Sequence, residues 1–158
     1  MSQAMVNTAK TVRRMAIGRL QGVPEELFDV QPAPFNNTIR WNIGHMAVTL
    51  DQFLSRFLPF DSKLPESYAA LFSSGTRPAD WTIEPPSKEE LLGYLSEQLE
   101  NLGTIPAEAL DKALPEPFLL GTMRFDTVGE IFSFAFIHEA MHLTTAANLA
   151  KLASQPQA

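Results

Sequence analysis

Cysteine is absent from this chain of 158 residues, which excludes disulfides, thiolate ligands and a cysteine nucleophile. Basic runs are absent too. With 12 Lys and Arg against 18 Asp and Glu the formal net charge is −6, so nothing tracks a phosphate backbone and nucleic acid is not the expected partner. No apolar run approaches membrane-spanning length, and no membrane partner is expected. Histidine is scarce, at three residues. What remains is 45% apolar and 19% charged, the balance of a globular protein. The length suits one domain spanning residues 1–158 with a single substantial core.

The first twenty residues hold Lys10, Arg13, Arg14 and Arg19 and no acid, the outline of a transit peptide. Met5, Ala9, Val12, Ala16 and Leu20 make a helical stripe there, and no secretory apolar segment follows. A structural helix over about 3–21 and a cytoplasmic location are therefore expected.

Three more segments carry helical periodicity. The second helix starts at Asn37 or Thr38, either a good N-cap, and runs to about Leu58, where Pro59 stops it. The third opens on the capping box Ser87-Lys-Glu-Glu90, followed by Leu91, Leu92, Leu95, Leu99 and Leu102. The fourth opens on a second box, Thr127-Val-Gly-Glu130, and continues to about Leu152. Phe118–Phe125 suits a short hairpin. The link between helices two and three is nearly thirty residues long and rich in proline, a length that permits parallel neighbours. The expected fold is all-α: a four-helix bundle, up-down-down-up, with that link as the crossover.

The three histidines fall into this frame. His138 and His142 stand at i and i+4 on helix four, one above the other on a single face. The inward stripe there reads Ile131, Ala135, His138, Met141, His142, Thr145, Leu149 and Leu152. His45 lies about two turns into helix two, roughly 10 Å from its start, and His142 roughly 15 Å from the end of helix four. If the two helices are antiparallel, all three imidazoles share one level and can reach one metal ion with a position left open. His138-Glu-Ala-Met-His142 is also a literal H-E-x-x-H. A peptidase of that type draws a third ligand from downstream, and the sixteen residues after His142 include no His, Asp or Glu.

Asn37-Thr-Ile-Arg-Trp-Asn-Ile-Gly-His45-Met and His138-Glu-Ala-Met-His142, with their separation and the chain length, resemble the DinB-like family of metal-binding four-helix bundles. The resemblance covers essentially the whole chain. It implies a divalent metal, Zn2+ or Ni2+, held by His45, His138 and His142. It implies transfer of a low-molecular-weight thiol or isomerisation of a thiol adduct, and pairing into homodimers. A surplus of large apolar residues, among them Phe53, Phe57, Phe132 and Phe136, agrees with an outer apolar face.

Around the expected site, Glu139 projects about 100° around helix four from His138, so it is read as lying behind the ligands or at an interface, a proton acceptor if it faces the cavity, with a solvated surface carboxylate as its plain alternative. Trp41, Gln52 and Thr145 are candidate substrate contacts; core packing and backbone hydrogen bonds are theirs. With no cysteine and every histidine committed, the nucleophile is a small-molecule thiol or water activated by the metal. Three functions follow: a thiol S-transferase-like enzyme, a metal-dependent hydrolase, and a non-catalytic metal-binding bundle whose ion would be closed by Asp51, Gln52 or Glu139.

Overall fold

The computed structural model describes residues 1–155. It is mostly helical, with five α-helices and one two-stranded sheet among the described residues. Four long helices agree with the sequence reading: α1 (Ser2–Gln21), α2 (Ile39–Leu54), α4 (Lys88–Leu102) and α5 (Val128–Ala153). Between α2 and α4 lies α3 (Ser67–Phe72), inside the segment read as an irregular crossover. No helix is long and apolar enough to cross a membrane among the described residues.

Local chemistry sets the boundaries. Thr38 is the N-cap of α2, its hydroxyl accepting from the Trp41 N–H at 3.2 Å. Both capping boxes are formed, Ser87 with Glu90 and Thr127 with Glu130. α2 ends at Leu54, four residues before the expected stop. There the amides of Phe57 and Leu58 both turn back to the Leu54 carbonyl, closing the helix before Pro59 is reached. The hairpin is present and longer than expected, β1 (Ala113–Leu120) against β2 (Met123–Thr127), with Phe118 opposite Phe125. Its turn uses Gly121 at φ +60°, a left-handed conformation that glycine adopts without a steric cost.

α2 packs on α5, and α1 on both α4 and α5. Contacts fix the directions of these pairs. His45 meets His138 and Asn42 meets His142, so α2 and α5 are antiparallel. The Lys88 ammonium reaches the Gln21 carbonyl while Arg13 reaches Gln98, so α1 and α4 are antiparallel. Arg40, buried on α2, binds Asp29 through two nitrogens and the Pro86 carbonyl through the third, tying both flanking loops to that helix.

The core has two apolar clusters. One, toward the hairpin, joins Val6, Leu50, Leu102, Phe125, Phe132 and Phe136. The other joins Leu20, Ile43, Phe72, Leu91, Leu143 and Leu149. Of the four phenylalanines of which some are expected on an outer face, Phe132 and Phe136 lie inside, and Phe53 and Phe57 are half-buried against Phe118 of the hairpin. The expected inward stripe of α5 is corrected as well. Met141 (61% exposed) and Leu152 (40%) face outward, because the buried arc runs through Phe132, Phe136, Glu139, Leu143 and Ala146 to meet α1 and α2 together. His138 and His142 sit at the edge of that arc, half-buried, while His45 on α2 is buried.

Candidate metal centre

Three imidazoles from two antiparallel helices meet at their Nε2 atoms. His45 Nε2 lies 3.3 Å from His138 Nε2, which lies 3.2 Å from His142 Nε2. Their possible ligand atoms all fall within 4.8 Å of one another, and no carboxylate belongs to the group.

The opposite ring nitrogens are held by the scaffold. His45 Nδ1 is 2.7 Å from the Phe72 carbonyl, an acceptor, so it carries the proton and donates. His142 Nδ1 is 2.8 Å from Asn42 Oδ1. Asn42 is oriented by its own amide, which donates to the Thr38 carbonyl at 2.8 Å and to Asn37 Oδ1, so Oδ1 must accept from His142. Both Nε2 atoms are therefore bare lone pairs aimed at His138 Nε2. That atom carries at most one proton and cannot donate to both. The Thr49 hydroxyl, 3.3 Å from His45 Nε2, is the further donor beside them.

A divalent cation resolves such a crowd of lone pairs. Bonds of about 2.0–2.1 Å at tetrahedral angles set nitrogens about 3.3 Å apart, which the two separations from His138 Nε2 match. Burial also suits the donors to this task. Desolvation lowers the pKa of all three, with His138 pushed down to about 4 and His142 to about 3, the other imidazoles adding to the effect. Neutral imidazole is the form that binds a metal.

Aromatic rings wall the site. Trp41 stacks on His45 with centroids 4.5 Å apart and planes 11° from parallel, and its indole N–H donates to Thr76 Oγ1. On the far side Phe53 and Phe134 approach His138, with Phe118 behind Phe53. Trp41 is thus part of the centre. Thr145 is half-buried one turn past His142, and its hydroxyl donates to the Met141 carbonyl. Gln52 is exposed and lines a cleft with Leu64, Pro65 and Tyr68, away from the imidazoles. Asp51 is engaged by Ser62.

Glu139 requires a correction. It is neither solvated nor beside the imidazoles. Its carboxylate is 1% exposed as a residue and accepts from Arg13 Nε at 2.9 Å and a second Arg13 nitrogen at 2.6 Å. The cause is its position one residue on from His138, which turns it about 100° around α5 toward α1.

Sequence reasoning missed several contributors. Asn42 and the Phe72 carbonyl, which hold two imidazoles, were not singled out. Phe72 lies on α3, in a stretch with no strong periodic signal. Asn42 had a signal: a polar residue one turn from Thr38 and three before His45 on an apolar helix.

The sequence model of the DinB superfamily matches residues 8–146, which takes in all three histidines and most of the chain. No curated protein matches the chain.

Proposed function

We infer that this chain, which belongs to the DinB superfamily, is a metal-dependent enzyme of the thiol-transferase type, acting on a small thiol and an electrophilic partner. One observation carries the reading: three Nε2 atoms converge, two of them fixed as lone pairs by Phe72 and Asn42. His45, His138 and His142 would hold the ion, Zn2+ or Ni2+, and the group includes no protein carboxylate to close it. Such an ion supplies positive charge that lowers the pKa of a thiol or water in its open position.

The chain's own residues do the rest. Trp41 covers one face of His45 and keeps water from it. Phe53, Phe118 and Phe134 offer an apolar wall beside His138 for the carbon part of the electrophile. The chain has no cysteine, so the attacking sulfur must come with the substrate. The cytoplasm, where small thiols stay reduced, is the setting such a reaction needs.

The same reading treats the four long helices as an up-down-down-up bundle, supported by the antiparallel pairs α2–α5 and α1–α4. It also includes a homodimer. Between Glu130 and Lys151 the only charged residue of α5 is the buried Glu139, and Ile137 and Met141 stand about 60% exposed. Ile137 lines an apolar groove of about 450 Å³ between α1 and α5. Sedimentation at tens of micromolar is expected to give a dimer that Ile137→Glu dissociates; a wild-type monomer removes this part.

The test of function has two steps. Protein purified without a metal column is expected to carry stoichiometric metal that His138→Ala with His142→Ala abolishes. The metallated protein should then accelerate attack of one member of a thiol panel on a model electrophile, and His45→Ala should remove the rate. Metal-dependent cleavage of model esters with no thiol reaction would make it a hydrolase. No response to metal in either assay would leave a binding or structural site.

A further inference from the structure

Between the two apolar clusters runs a buried polar layer that the proposed chemistry does not use. Arg13 lies between Ala9 and Ala16 on α1, Gln98 between Leu95 and Leu102 on α4, and Glu139 between Phe136 and Leu143 on α5. All three are essentially solvent-free, at 0%, 0% and 1% exposure. Arg13 donates through two nitrogens to Glu139 and through a third to Gln98 Oε1 at 2.7 Å. The Gln98 amide in turn donates to the Ala47 carbonyl on α2 at 2.9 Å. One continuous chain of hydrogen bonds thus links all four long helices.

Its two ends are what give it meaning. Glu139 follows His138 directly on α5, and Ala47 stands two residues after His45 on α2. The chain therefore joins the two metal-bearing helices at the level of the imidazoles, by a route through the interior. A buried ion pair is a poor source of stability, since apolar residues of similar volume often do as well. Its bonds are short and directional, however: a slip of α5 along its axis would strand a buried charge, and a slip of α2 the buried Gln98 amide. Apolar contacts alone tolerate such slips.

We propose that Arg13, Gln98 and Glu139 are positioning residues that lock the axial register of α2 against α5, and so hold His45 at the distance from His138 and His142 that a metal requires. This rests on the metal reading above. The layer contributes to metal affinity and coordination geometry, while the apolar clusters carry the fold.

The test compares the wild type with the full-length triple variant Arg13→Met, Gln98→Leu, Glu139→Leu, which removes every charge and donor of the layer at similar volume. Metal-free melting temperature is measured alongside a Co2+ titration followed by visible absorption. The expected result is a melting temperature equal to or above wild type, with Co2+ affinity weakened roughly tenfold or more, the scale on which residues behind metal ligands act. A weakened or shifted ligand-field spectrum should accompany it. Gln98→Met alone, which keeps the ion pair but removes the Gln98 acceptor of Arg13 together with the link to α2, should weaken affinity several-fold with only a modest loss of melting temperature, and it decides the matter if the triple variant does not fold. Affinity and spectrum equal to wild type in either folded variant overturn the proposal. Absence of Co2+ binding by the wild type instead overturns the metal reading on which it stands.

Discussion

Asn42 decides which nitrogen of His142 bears the proton, and with it whether Nε2 offers a lone pair. Its Oδ1 accepts from Nδ1 at 2.8 Å, and two further bonds keep the amide from flipping. Asn42→Leu should preserve the volume and remove the acceptor. Metal affinity should fall 10–100-fold, read by Co2+ titration, as for other partners of ligating histidines; an unchanged affinity would show that His142 needs no orienting. The imidazoles make a second prediction. Burial pushes His138 down to about 4 and His142 to about 3, below the ordinary 6.5 that the unfolded chain retains. Below pH 6.5 the unfolded state therefore takes up protons that the folded state refuses, so stability falls with pH through 6.5 toward 4. Metal-free wild type should lose melting temperature over that range faster than the His138→Gln, His142→Gln variant; parallel curves would contradict it. The three histidines were legible because i,i+4 spacing and a level match need only helix geometry. Arg13 was not. A charge on a stripe of Ala9 and Ala16 reads as a surface cation until its partner, 126 residues away, is known.

At the scale of elements, the long helices announced themselves through capping boxes and apolar periods, signals contained within a few residues. α3 did not, since six residues between Pro65 and Pro78 show less than two turns of pattern. It nevertheless supplies the carbonyl that holds His45, and it gains its place through Gly44. A Cβ at Gly44 would fall within the Phe72 ring, so the ring lies where no other residue would allow it. Gly44→Ala sets two effects against each other. Helix propensity favours alanine by up to about 1 kcal/mol. Overpacking a tight contact costs about 1–3 kcal/mol, and here the obstruction is a whole buried ring. The steric term should win, lowering the melting temperature. Because displaced Phe72 carries its carbonyl with it, metal affinity should fall in the same variant. A melting temperature equal to wild type would mean that α3 moves aside without loss.

On the scale of the whole molecule, the long proline-rich connection made an antiparallel α2 and α5 the natural expectation, and the shared level of the imidazoles followed. The division of the core into two apolar clusters about a polar layer was not visible, because it arises from which faces of four helices meet. That division bears on what the metal does for the fold. The clusters include Leu20, Leu54, Leu91, Leu95, Phe132 and Leu149, each at most 2% exposed, and none of them bonds to the imidazoles. A fold with such a core does not depend on metal in the way a zinc finger does. An ion held by the three histidines would bind the folded state alone, and at a hundredfold excess over Kd that linkage would add about 2.7 kcal/mol. For a chain of this size each kcal/mol corresponds to about 2–4 °C, so chelation should lower the melting temperature by about 5–10 °C. Circular dichroism at 25 °C should meanwhile keep its full helical signal. Collapse of that signal on adding chelator would mean that metal coordination, and not the apolar clusters, holds the helices together.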